Sequence, residues 1–338
     1  GESKGINDTG VETFTDNLVS SLAREICQNS LDASVDNAIP VTVCFKEFKM
    51  LTSMIPDIAG LQHELDECIK FVSTMKSTAT RTWLEHAKEI LDSEYINVLR
   101  ISDFNTTGLL GANQNNYSNP WNSLVRSTGV SDKNPTDGGS FGIGKFASFA
   151  CSKLRTVFFS TNAQDKIQAY QGIARLPSSS PRENEVTTGF GFYGEANCTP
   201  IFEQLNFEKA WARETSEFGT DIYILGFSGN LEDPAEWKAR IIASVLDGFL
   251  LSVYNNRLRI DVDSIIVDKD NLEELIEKYG EYGTNRSKEY YNVLTSSSTD
   301  WVVIEDFLNS RLGEVKIGIL LNEGYHRKVA GIRSTGMM

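Results

Sequence analysis

The sequence predicts an α+β protein: helices on one face of a mixed, mostly antiparallel sheet, an α/β sandwich, followed by a second α/β domain. Two observations carry this expectation. Segments with apolar residues at helical spacing, such as residues 16–33 and AEWKARIIASVLDGFLLSVYN, alternate with β-branched and aromatic runs such as VTVCFKEFKM, LRTVFFSTN and TDIYILGF. The alternation restarts with a helix after residue 230, and 338 residues suffice for two cores.

Taken in order, residues 1–15 are polar and read as an N-terminal arm. In residues 16–33, Leu18, Leu22 and Ile26 form an apolar stripe, with Glu25, Asn29 and Asp32 along its border. The strand VTVCFKEFKM follows. Residues 54–95 read as two helices, one striped by Leu61, Leu65, Ile69 and Val72, the other by Trp83, Ala87 and Ile90. The strand INVLRISD ends on Asp103. Residues 109–138 are rich in Asn, Ser and Gly with little periodicity, and loops of this length are often functional lids. The glycine-rich GGSFGIGKF then opens the helix KFASFACSK, and LRTVFFSTN, IQAYQGIARL, GFGFYG and TDIYILGF supply further strands. Beyond residue 230, RLRIDVDSIIVD, WVVIEDFL and EVKIGILLNE are strand-like, and DNLEELIEKYG is helical. The chain opens on Gly1 and stops within strand-like sequence at GIRSTGMM, which reads as a fragment of a longer protein.

Two carboxylates and an amide beside an apolar stripe are costly unless something polar is bound against them. Asp103 at a strand end and a glycine turn entering a helix complete a set that looks like an ATP site. The set resembles the GHKL ATPases, which include DNA gyrase B, heat-shock chaperones, histidine kinases, MutL and MORC proteins. Their first motif, E-x-x-x-N-x-x-D-A, is matched by Glu25, Asn29, Asp32 and Ala33. The second, usually D-x-G-x-G, reads Asp103 to Gly108, with Asn105 in place of the first glycine and Gly108 displaced by one residue. The glycine turn is matched by Gly139, Gly142 and Gly144, with Ile143, Lys145 and Phe146 around it, and a Gly-Thr pair entering a strand by Gly219 and Thr220. Four motifs in order make the match specific where any one would be weak.

The resemblance implies a GHKL (Bergerat) ATP-binding domain over residues 1–229, with 54–95 a helical insertion dispensable for nucleotide binding and 109–138 the ATP lid. A transducer-like domain over 230–338 follows. It implies a cofactor set of ATP and Mg²⁺ and residue roles to match. Glu25 is the general base for an in-line water. Asn29 holds Mg²⁺, which takes few protein oxygens and fills its shell with phosphates and water. Asp103 accepts from the adenine amino group, with Thr220 beside it. The glycine turn brings backbone N–H groups and Lys145 to the phosphates. Lys328 or Arg333 reaches the γ-phosphate from the second domain. The implied activity is slow ATP hydrolysis driving a conformational switch, with nucleotide-dependent homodimerisation through the arm and lid. Within that class the sequence looks most similar to the prokaryotic MORC-like and chaperone-like ATPases, common in restriction and anti-phage systems.

Composition limits the alternatives. A net charge of −14 with only small basic spots, KEFK and HRK, gives no support to nucleic-acid binding. The longest apolar run, residues 241–254, is too short to span a bilayer and contains Asp247. Five cysteines without a C-x-x-C pair favour reduced thiols in a cytoplasmic protein, and three histidines make a structural zinc site improbable. No histidine precedes Glu25, which disfavours a histidine kinase; a nucleotide-binding module without turnover remains the other alternative.

Overall fold

The computed structural model describes residues 18–74, 77–114, 118–125, 146–179, 187, 189–208, 211–229, 233–307, 313–323, 329–332 and 337–338. The protein is α+β, built on a large mixed sheet. The first helix, α1 (Leu18–Asp32), buries Leu18, Leu22 and Ile26 at helical spacing, with Val19, Ala23 and Cys27 alongside. Strand β1 (Val41–Leu51) follows. A short 3₁₀ turn leads into α2 (Ile58–Ser73) and α3 (Thr78–Asp92), and Asp57 starts α2 by accepting from the backbone N–H of Gly60 at 3.2 Å. Next come β2 (Tyr95–Phe104), α4 (Pro120–Val125), α5 (Phe146–Ala150), β3 (Thr156–Asn162), β4 (Gln168–Arg175), β5 (Phe190–Tyr193) and β6 (Gly219–Leu225). The chain continues through α6 (Trp237–Tyr254), β7 (Leu258–Val262), β8 (Ile265–Val267), α7 (Leu272–Tyr279), α8 (Ser287–Thr295), β9 (Asp300–Phe307) and β10 (Gly313–Ile319).

Among the described residues eight strands form one sheet, in the order β5-β4-β3-β6-β2-β1-β7-β8. All neighbours in it are antiparallel except β1 and β7, whose parallel register sets Val41 against Leu258. Strands β7 and β8 lie after residue 230, where the sequence reading begins a second domain, yet they complete the sheet that β1 and β2 start. Helix α6 packs on α1, where Ser244 Oγ donates to the carbonyl of Ser20 at 3.0 Å. Strands β9 and β10 form a separate two-stranded ribbon.

The expectation of helices on one face needs correction: both faces are covered. On the front, α1, α5, α6 and α7 pack on Val43, Phe45, Leu99, Ile101, Val157, Phe159, Ile222 and Ile224. On the back, α2 and α3 set Leu65, Cys68, Val72, Leu84, Ala87 and Leu91 against Val98, Phe158, Tyr223 and Leu225. This second cover explains why β3 and β6 are buried at every position. Helical periodicity reveals that a helix has a face to bury, and is silent on which sheet surface receives it. Residues 54–95 are therefore one wall of a three-layer structure, and their removal would expose an apolar sheet face. Among the described residues no helix is long and apolar enough to cross a membrane.

Candidate functional site

The front face brings three distant segments onto one carboxylate. Asp103 closes β2, and strand alternation turns it toward the helix layer, as it does Ile101. Its Oδ2 accepts from Ser30 Oγ of α1 at 3.1 Å. Its Oδ1 accepts from Thr106 Oγ1 at 2.7 Å and from the backbone N–H of Thr220 at 2.7 Å. An ionised carboxylate has roughly four lone-pair directions, so three donors leave room for one more at Oδ2. Asp103 keeps some exposed surface as a residue, but its carboxyl group is enclosed. Burial raises its pKa above the ordinary carboxylate value of 3.8, against the opposing pull of the Arg213 charge and these hydrogen bonds.

Backbone pairing fastens the end of α1 to the turn after Asp103. The Thr107 N–H donates to Ala33 O at 2.9 Å, and the Val35 N–H donates to Asn105 O at 3.1 Å. Asn105 stands where the motif usually has glycine, and it adopts φ 58°, in the left-handed region that asparagine tolerates better than most residues. Its side chain serves the fold: Nδ2 donates to the carbonyls of Asp36 and Ile39 at 2.8 and 2.7 Å, and Oδ1 accepts from the Asp36 N–H at 3.1 Å. Gly108 sits at φ 64°, where a Cβ would come within 2.8 Å of Thr161 Oγ1 and 2.9 Å of Asn162 O. Gly219 is required by crowding instead, since a Cβ there would lie 2.2 Å from Asp103 O and 2.4 Å from an Arg213 nitrogen.

Along α1, Glu25 is half-buried, while Asn29 and Asp32 are exposed. Asn29 Nδ2 donates to Glu25 Oε1 at 3.1 Å, the i, i+4 contact expected on one helix face. With its amide nitrogen on Glu25, Asn29 has its carbonyl oxygen as the atom suited to a hard cation. Ser30, the next residue, links the same helix to Asp103. Ala33 is half-buried at the end of α1, and its N–H donates to Asn29 O at 3.1 Å. Phe146 opens α5, where the Arg175 guanidinium lies 4.2 Å from its ring centre. The described part of 109–138 folds back on itself, with Asn119 Nδ2 donating to Gly111 O at 2.8 Å and Trp121 buried in the front core. Gly139, Gly142, Ile143, Gly144 and Lys145 lie outside the described residues, as do Lys328 and Arg333.

Ser30, Thr106 and Arg213 belong to this arrangement and escape a reading of the sequence alone. Ser30 had a signal, being polar on the buried side of α1. Thr106 lies three residues after Asp103, in the turn that follows β2. Arg213 comes from a loop without periodicity. No protein-family model matches the chain, and no curated protein matches it in sequence.

Proposed function

We propose that the protein is a GHKL-type ATPase that binds ATP with Mg²⁺ between α1 and the sheet and hydrolyses it slowly to drive a conformational or dimerisation switch. The observation that carries this reading is the convergence of residues 30, 103–106 and 220 on the Asp103 carboxylate. A buried acid held by fixed donors, with acceptor capacity left on one oxygen, suits the exocyclic amino group of adenine in a slot. Such an acid supports adenine over guanine, whose corresponding position is a carbonyl oxygen. The helix that donates Ser30 also carries Glu25 and Asn29, so the base-reading end and the acid–amide pair share one rigid element.

In this reading Glu25 takes the proton of a water that attacks the γ-phosphorus. A new P–O bond forms as the bond to the ADP oxygen breaks, and ADP departs with inorganic phosphate as the second product. Asn29 orients Glu25 through its amide nitrogen and offers its amide oxygen to Mg²⁺, which when bound would neutralise phosphate charge. Asp103 and Thr220 orient the base. The test is calorimetry with ATP and GTP together with phosphate release. Tight binding of ATP over GTP and slow turnover are expected; no ATP binding at millimolar nucleotide would end the proposal.

A further inference from the structure

Behind the sheet, directly beneath Asp103 and Thr220, lies a buried arginine network. Residues 211–218 strap across the back face before β6. From this strap Arg213 reaches inward, only 5 % exposed. Its Nε and one terminal nitrogen engage both oxygens of Asp221 at 2.7 and 3.0 Å, a bidentate pair. The same terminal nitrogen donates to the carbonyl of Thr220 at 3.0 Å, and the guanidinium lies 4.5 Å from the ring centre of Phe104. Phe104 meets Trp211 edge-on at 5.9 Å, and Arg100 stacks on Trp211 at 3.6 Å while pairing with Glu208. The network thus holds Phe104, the neighbour of Asp103 in β2, and Thr220, which donates its N–H to Asp103.

Gly219 makes the arrangement possible. Its missing side chain lets Arg213 and the Asp103 carbonyl close on the same point from two sides. An arginine that filled space or balanced Asp221 alone would not need the Thr220 carbonyl. Arg213 instead grips the one peptide whose neighbouring N–H bonds Asp103 Oδ1.

Resting on the ATP reading above, we propose that Arg213 is a positioning residue for base recognition, clamping the Gly219–Thr220 backbone from the far side of the sheet and holding Asp103 ready to accept from adenine. Two effects follow from one side chain. The hydrogen bond to Thr220 O sets where the Thr220 N–H stands, and hence the orientation of the carboxylate. The positive charge opposes the burial that favours a protonated Asp103. Ser30 from α1, Thr106 from the turn and Thr220 from β6 also face this carboxylate, and all three are neutral; among the described residues Arg213 is the charged group acting on it, and Asp221 is the partner of Arg213.

The experiment measures ATP and GTP binding by calorimetry in Mg²⁺ buffer from pH 5 to 9 for the parent chain, Arg213→Lys, and Arg213→Met combined with Asp221→Asn. The paired substitution removes Asp221 as a charge along with Arg213, so the salt bridge goes as a unit and only Asp103 is left to report the loss. Titration of the nucleotide phosphates is common to all three proteins and cancels in the comparison. In the paired variant the pH below which ATP binding is lost should rise above that of the parent. In Arg213→Lys that pH should stay near the parent value, while ATP affinity falls roughly tenfold, because an ammonium cannot hold Asp221 and Thr220 O with the same planar fork. GTP binding should respond far less in both. Arg213→Lys preserves the charge, so it reads the clamp even if the paired variant does not fold. Parent-like ATP affinity in Arg213→Lys, or a parent-like pH profile in a folded paired variant, overturns the inference while leaving the ATP reading intact. A parent chain that binds no ATP overturns the ATP reading, and this proposal with it.

Discussion

Asp103→Asn is the sharpest perturbation of the site, because it changes one atom and two functions. In the parent, Oδ1 accepts from Thr106 and the Thr220 N–H, and Oδ2 accepts from Ser30. A backbone N–H cannot accept, so the asparagine carbonyl must take the Oδ1 position and its NH₂ the Oδ2 position. Ser30 can rotate its hydroxyl to accept from that NH₂, so every hydrogen bond keeps a partner, and the lost charge assistance is offset by relief of a buried charge. Nucleotide fares worse. The free capacity at Oδ2 becomes a donor facing the donor of adenine. Losing one hydrogen bond to a charged acceptor and leaving the adenine amino group unpaired costs about 2–4 kcal/mol, roughly a 30- to 700-fold weaker Kd. Guanine presents an acceptor at that position, so the ratio of ATP to GTP affinity should fall further than ATP affinity alone. Calorimetry with both nucleotides, on protein shown to be folded by circular dichroism, reads the effect. Parent-like ATP affinity in Asp103→Asn would refute the adenine contact.

Further expectations concern chemistry, stability and assembly. Glu25→Ala should bind ATP as the parent does while phosphate release falls roughly 10²–10⁴-fold, and near-parent turnover would remove Glu25 as the base. Leu84→Ala, at a fully buried contact of α3 on the back face, should destabilise by about 2–5 kcal/mol in urea unfolding; a loss under 1 kcal/mol would mean α3 is not part of the core. Asp103 has a raised folded pKa, so between the ordinary value of 3.8 and that raised value the native state holds a proton the unfolded chain releases. Stability from this group is full below 3.8 and is lost as pH rises through the folded value; the difference in unfolding free energy between parent and Asp103→Asn should change with pH over that window, and a flat difference would contradict it. A non-hydrolysable ATP analogue should shift the chain toward a dimer in sedimentation, and deletion of residues 1–14 should abolish the shift; an unchanged mass distribution would make any switch intramolecular.

The sequence by itself determined the local grammar. The stripe of α1, the strand end at Asp103 and the Gly219–Thr220 entry to β6 are all legible from spacing, because a period of 3.6 or 2 records which side of an element is buried. It also placed Glu25 and Asn29 on one helical face, where they are bonded. The tertiary structure alone decided which elements meet. Ser30 reaches Asp103 across 73 positions and Thr220 reaches it across 117, separations that no local pattern records. It decided that residues 54–95 wall the back of the sheet, and that β7, far along the chain, lies parallel beside β1. It also decided the place of Arg213, whose loop has no period to read and whose position depends on an aromatic ring, an acid and a missing Cβ supplied by two different strands. Periodicity encodes a surface to be buried; the partner surface is chosen only when the whole chain packs, because apolar burial is non-directional and any matching face would satisfy it.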